Sequence, residues 1–252
     1  MPQLQLHENS ARGNGIPLFP TEIKARNHAI LCTTGFLILL PIGVLVARYT
    51  RTWNRFWFWN HATIQLIISG PVIFAGWSQG YQVARELELQ SLFDPHQKIG
   101  ITLLALYVAQ LVFGLLAHFV KLPRRVFPGG LRRAPHNYFH VLLGLAMLAL
   151  AGYQVHYGLY TEWTFATGGI HPVPESAKHA WMALLIVSVE NLTHNFWVEH
   201  FQVFWVLYVA GLAFLPIQFR QEKASAMPKS EKEASAADSD TARESPVPVS
   251  AA

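Results

Sequence analysis

The chain has 252 residues, 52% of them hydrophobic and only 13% charged, with a formal net charge of +4. So little charge cannot coat a water-soluble globule. The small positive excess does not point to nucleic acid either, because the basic residues gather in short loops between apolar runs, where they report membrane topology.

In chain order, residues 1–26 form a polar lead with glycine and proline, and no cleavable signal peptide is legible in it. The first span is expected over residues 28–47, stopped by Arg48 and Arg51; its uncharged run is long enough to cross roughly 30 Å of hydrocarbon. It contains the single cysteine, Cys32, which excludes an intrachain disulfide, a zinc knuckle and an iron–sulfur site and reads as a small packing residue. The second span, residues 56–76, opens on Phe56-Trp57-Phe58-Trp59, an aromatic belt suited to a membrane boundary. The third covers residues 96–120. A loop then carries five basic residues, Lys121, Arg124, Arg125, Arg132 and Arg133. The fourth span covers residues 137–157, and a wetter loop follows over residues 160–178.

The remainder is irregular. Residues 180–189 are apolar but make only half a span, residues 190–200 are polar, and residues 201–219 are apolar again. From Arg220 to the end the chain is rich in Ala, Ser, Glu, Lys and Pro, a composition that cannot bury enough apolar surface to fold and predicts disorder. The expected organisation is a polar segment (1–26), a transmembrane domain (27–219) and a cytosolic tail (220–252). The fold class is all-α: a polytopic membrane bundle with a four-helix core and a fifth transmembrane helix. Arg48, Arg51, Arg55, the basic loop, Arg220 and Lys223 fall on one side; Arg12, Lys24, Arg26, Arg85 and Lys178 fall on the other. The more basic side is expected to be cytosolic, which leaves the N-terminus extracytoplasmic and the C-terminus cytosolic.

Each of the first four spans has a histidine at its head: His28, His61, His96 and His140. A lone histidine at a span end is more often an interfacial residue than a ligand, but here the placement agrees four times. Because successive spans alternate in direction, His28 and His96 fall near the outer face, and His61 and His140 near the cytosolic face. Neutral imidazole is the commonest metal ligand. Two pairs at two depths are what two bis-histidine haems would need, and they point to electron transfer across a bilayer. Gly100 and Gly144 each follow a histidine by four residues and so share its helix face, where the missing side chain would let a flat macrocycle lie against the helix. Glycine is also simply frequent in membrane helices.

His118 and His156 read as snorkelling residues at span ends. His136 lies one turn before His140 and is a second candidate there. His7, His171, His179, His194 and His200 read as solvent-exposed. The chain has no glycine-rich phosphate loop, no Gly-x-Ser-x-Gly and no His-Glu-x-x-His. No carboxylate lies inside spans one to four, which argues against a proton-coupled or cation transporter.

Several pieces occur in an informative order. His28-Ala-Ile-Leu leads to Leu40-Pro41 and Arg48-Tyr49. Phe56-Trp-Phe-Trp-Asn-His61 is followed by Gln65. His96-Gln-Lys-Ile-Gly100 leads to Gln110, and Asn137-Tyr-Phe-His140 to Gly144 and Gly158-Leu159. In these pieces the chain resembles the cytochrome b561 family, in the branch often fused to an extracellular DOMON domain; no DOMON domain is legible here. The resemblance covers residues 25–160 and the last span. Ala29, Gln97 and Val141 depart from frequent family residues.

The resemblance implies that His28, His61, His96 and His140 ligate two haem b groups, and that electrons pass from cytosolic ascorbate to an outside acceptor such as monodehydroascorbate or ferric iron. The expected partners are the lipid bilayer, that small-molecule reductant and acceptor, and an extracellular redox protein, with room for a homodimer. The alternatives are a haem-bearing membrane anchor for a separate dehydrogenase and a haem-free transport or scaffold protein.

One last expectation concerns residues 187–202. Removing them joins Trp181–Ile186 directly to Val203–Ile217 in one apolar stretch of spanning length. With them present, that stretch is interrupted by Glu190 and Glu199, which are costly in lipid. The segment opens on Val-Ser and closes on Phe-Gln, which GTA-AGT and TTT-CAG would encode, so it reads as a short in-frame intron. The competing reading is a real loop carrying the sequon Asn191-Leu-Thr193.

Overall fold

The computed structural model describes residues 16–120, 135–185 and 203–226. The five basic residues Lys121, Arg124, Arg125, Arg132 and Arg133, and the segment 187–202, lie outside the described residues, as do His7, His194 and His200.

All regular structure among the described residues is helical. Helix α1 runs Pro20–Thr50 without a break. Pro20 takes the first helical position, where its missing N–H costs nothing, and the Glu22 carboxylate turns back to accept the Phe19 N–H at 2.7 Å. Helix α2 covers residues 57–86. Helix α3 is Pro95–Phe119; its N-cap, Asp94, accepts the Gln97 N–H at 2.9 Å. Helix α4, Pro135–Ala166, ends at Gly168 and Gly169, whose φ values of 57° and 75° suit glycine. Helix α5 is Glu175–Leu185, and helix α6 covers residues 203–226. By length and composition α1, α3 and α4 can cross a membrane. Helix α2 is about as long but more polar, with Asn60, Gln65, Ser69, Ser78 and Gln79 along it.

The bundle is two antiparallel hairpins, α1–α2 and α3–α4, packed face to face. Their shared core is Phe36, Leu40, Ile73, Leu103, Tyr107, Met147, Leu148 and Ala151, joined by Phe204 of α6. Ile30, Ile67, Leu142 and Val209 point outward, each more than half exposed, as lipid-facing residues do. Helix α6 is braced against the end of α1. Tyr49 Oη donates to Leu207 O at 2.6 Å, and the Arg48 guanidinium lies 4.8 Å above the Tyr208 ring. Arg51 pairs with Glu222 at 3.2 Å, and Gln221 Nε2 donates to Thr52 O at 2.8 Å.

Four expectations shift. The first helix starts at Pro20, before the expected boundary at residue 27. Helix α4 continues through the expected loop to Ala166 by way of a π-helical turn, Gly158–Glu162. Helix α6 runs past the expected boundary at Arg220 to Ala226, because Glu222 and Gln221 find partners in Arg51 and Thr52, in the turn that follows α1. His171, expected to face solvent, is 8% exposed. Its Nδ1 lies 2.9 Å from Glu22 Oε1 and its Nε2 3.1 Å from Ile16 O. Its carbonyl accepts Trp163 Nε1–H at 2.8 Å. Two acceptors on two ring nitrogens select the imidazolium, and the bonded Glu22 carboxylate raises the His171 pKa above 6.5. The stabilisation is therefore complete below that value and is lost as pH rises through the raised pKa. Trp163 fluorescence is expected to report loosening on alkalinisation, and a His171→Ala variant is expected to have lost that pH dependence. A wild-type signal flat with pH would contradict this.

Candidate functional site

The four histidines fall into two pairs at opposite ends of the hairpins. The His28 and His96 ring centroids are 6.0 Å apart, with their planes at 77°. Those of His61 and His140 are 6.5 Å apart, at 90°. A metal–imidazole bond is about 2 Å long, so two of them in line hold the ring centroids about 6 Å apart. Each pair takes one ring from each hairpin.

The α1–α2 hairpin fixes its rings by a reciprocal exchange. His28 Nδ1 lies 2.8 Å from Gly76 O, and His61 Nδ1 lies 2.7 Å from Gly43 O. A carbonyl can only accept, so Nδ1 carries the proton and Nε2 keeps its lone pair for a metal. The α3–α4 hairpin has its own exchange. Gln154 Nε2 donates to His96 O at 2.8 Å and lies 3.0 Å from His96 Nδ1. Gln110 Nε2 donates to His140 O at 2.7 Å. Both glutamines are buried.

Glycines make room for the rings. A Cβ on Gly80 would come within 2.6 Å of the His28 ring, one on Gly158 within 3.2 Å of His96, and one on Gly114 within 3.1 Å of His140. The two glycines singled out by sequence have a neighbour that the sequence reading did not assign. A Cβ on Gly144 would meet Gln110 Nε2 at 2.9 Å, and one on Gly100 would meet Gln154 Nε2 at 3.6 Å. The signal for the missed residues was present as spacing. His96 is followed by Gln110 and Gly114 at 14 and 18 residues, and His140 by Gln154 and Gly158 at the same 14 and 18. Eighteen residues make about five full helical turns, so each glycine shares its histidine's face at the opposite end of the helix.

The donor set fits a haem. No group of three or more His, Cys, Asp or Glu able to hold a metal ion occurs among the described residues, so two imidazoles would leave a bare ion short of ligands. A porphyrin supplies the other four. His136 Nε2 and His140 Nδ1 are buried and make no hydrogen bond. The His118 ring stacks on Phe58 at 3.4 Å, while His156 packs against Trp181 at 5.0 Å.

Comparison with known proteins agrees with this geometry. The family model described as eukaryotic cytochrome b561 matches residues 27–166. Two Arabidopsis thaliana proteins, each named a cytochrome b561 and DOMON domain-containing protein, are similar to the chain. One is 24% identical over 169 residues, covering 65% of this chain and 43% of the relative. The other is 28% identical over 154 residues, covering 58% and 35%. The chain thus spans about two fifths or less of the length of these relatives. No solved structure matches. With the family model covering more than half of its length, the chain belongs to the eukaryotic cytochrome b561 family.

Proposed function

We propose that this chain carries electrons across a bilayer through two b-type haems, one held by His28 and His96 and the other by His61 and His140. The observation that carries the reading is the presence of two imidazole pairs, each at single-metal spacing, at opposite ends of one bundle. On each of α3 and α4 a histidine and the glycine facing the other site are 18 residues apart, about 27 Å along the helix. Two stations toward the two ends of such helices lie near the two faces of a roughly 30 Å barrier.

The chemistry such a group supplies is one-electron exchange with both axial positions filled, which suits outer-sphere transfer rather than oxygen activation. The protein's part is orientation and insulation. Gly76 O and Gly43 O hold the His28 and His61 rings in the tautomer that offers Nε2. Gln154 and Gln110 anchor the backbone under His96 and His140. The apolar core between the sites excludes water.

The reading extends to direction and partners. The excess of basic residues in the loops on one side supports a cytosolic His61 end, with the N-terminus outside and the C-terminus inside. Ascorbate is the proposed reductant, with monodehydroascorbate or ferric iron as the outside acceptor. Gly100 and Gly144 are proposed as haem-contact positions, and Lys121, Arg124, Arg125, Arg132 and Arg133 as the attraction for the anionic reductant by electrostatic focusing.

Purified protein is expected to give a b-type reduced-minus-oxidised spectrum at two haems per chain, and ascorbate alone is expected to reduce it. Absence of the spectrum would rule out the redox reading. A spectrum that ascorbate cannot elicit would favour the anchor for a separate dehydrogenase. Neutralising Arg132 and Arg133 together is expected to slow ascorbate reduction severalfold at low salt while haem content stays unchanged. Stopped-flow reduction at two ionic strengths checks this, and equal rates at low salt would remove the loop from the mechanism.

A further inference from the structure

Helices α1 and α2 do not share the spacing of α3 and α4. Gly43 follows His28 by 15 residues and Gly76 follows His61 by 15, against 14 for the glutamines of α3 and α4. Gly80, which makes room for the His28 ring, follows His61 by 19, against 18. One residue turns an α-helix by about 100°, so a regular α1 or α2 would present the wrong residue. Eighteen residues after His61 stands Gln79, whose side chain would meet the His28 ring where Gly80 now leaves room.

Each of these two helices carries one π-helical segment between its histidine and its glycine, Thr34–Leu39 in α1 and Thr63–Ile68 in α2. Helices α3 and α4 have none between their histidine and the glycine 18 residues on. A π turn takes up one extra residue without advancing the face. It brings 15 and 19 back to the phase of 14 and 18.

The α2 turn has a visible clamp. The Ser69 N–H reaches five residues back to Ile64 O, and Ser69 Oγ donates to the same carbonyl at 2.8 Å. Where the ladder returns to its ordinary spacing, one carbonyl is skipped. The next one along, Gln65 O, instead accepts the Tyr107 hydroxyl of α3 at 2.6 Å. Tyr107 is 1% exposed and Ser69 wholly buried. In hydrocarbon a skipped carbonyl has no water to turn to, so the π turn is sustained by this hydroxyl. Gln65 lies four residues after His61, on the same face.

We propose that the π turns of α1 and α2 are one-residue phase correctors for the two haem sites, and that Tyr107 is the positioning residue that holds the α2 turn and thereby the aim of His61. The proposal rests on the two-haem reading above.

Single-residue deletions test it, read as haem-to-protein ratio and low-spin signals of purified protein. Ile67 is lipid-facing and lies inside the α2 π turn. Its deletion is expected to remove the π turn, leaving α2 irregular only at Pro71, which has no N–H to give in either case, with spacings of 14 and 18 and an unchanged haem ratio. Val108 is likewise exposed but lies in regular α3. Its deletion swings Gln110 and Gly114 by about 100° and is expected to halve the ratio at least. Equal haem loss in both deletions, from a wild type that holds two, would overturn the phase corrector; a wild type without haem would overturn the two-haem reading instead. Tyr107→Phe in the undeleted chain supplies the second test. It is expected to shift the potential and low-spin signals of both sites, because the turn fixes His61 on one side and Gly76 and Gly80, which serve His28, on the other. The same substitution added to the Ile67 deletion is expected to change nothing further, because the carbonyl it served has regained a backbone donor. Signals of both sites unchanged in Tyr107→Phe, or the same further shift on the Ile67-deleted background, would remove Tyr107 from that role.

Discussion

Alanine at His140 is expected to halve the haem content and to stop transfer across the membrane, while the other haem keeps its low-spin spectrum. The two imidazole pairs share no residue, and each draws on both hairpins, so losing one ring disables one site and leaves the other's two ligands in place. His61→Ala is expected to reproduce the same loss. His28→Ala and His96→Ala are expected to remove the other haem, and pairing one substitution from each site to remove both. Residual haem with unaltered reduction at the far face would show that the pairs are not the ligands. One outcome has a specific reading. His136 stands one turn before His140 with a buried Nε2 that makes no hydrogen bond, and a His140→Ala protein that keeps two six-coordinate haems would name it as the ligand.

The second large effect concerns residues 187–202. Deleting them is expected to leave haem stoichiometry at two and to raise the yield of folded protein severalfold, and transcripts joining the codons for Ile186 and Val203 are expected to predominate. The described helices on either side support this through their depth. Trp181 of α5 packs against His156 and Tyr160 at the far end of α4 from His140. Phe204 of α6 lies instead in the central core with Phe36, Leu40 and Ala151. A Cβ on Gly211, two turns further along, would strike the Arg48 side chain. Helix α6 therefore begins near mid-depth and covers only the half of the bundle toward Arg48, while α5 covers the other half. From Trp181 to Leu185, the last described residue of α5, is four residues, about 6 Å of helix. Helices α5 and α6 also approach each other, with Cα atoms within 8 Å. Joined, residues 181–186 and 203–217 make about 21 residues, the length a span requires. Transcripts that all retain the segment would exclude the intron.

Much of this was legible in the sequence because hydrocarbon makes polar residues conspicuous. Four histidines at four span heads stand out against apolar runs, and alternation of direction pairs them without further information. The phase of the helices was not legible in the same way. A π turn has no composition of its own: Thr34–Leu39 and Thr63–Ile68 read as ordinary apolar helix, and only the 15- and 19-residue spacings betray them. His171 was misread because its partner, Glu22, is 149 residues away, and no local pattern announces such a contact. Helix α4 outran its expected end because Gly158, a residue that usually weakens a helix, is placed to clear the His96 ring.

The exchange within each hairpin has one more consequence. His28 is to Gly76 what His61 is to Gly43, and His96 is to Gln154 what His140 is to Gln110. Walked from either end of the bundle, the proposed conduit reads almost the same, like a palindrome. A symmetric wire does not rectify. Whatever sense of flow the protein shows must be imposed where the symmetry fails, at the two ends: Lys24, Glu86 and the His171–Glu22 pair at one, and Arg48, Arg51 and Glu222 at the other.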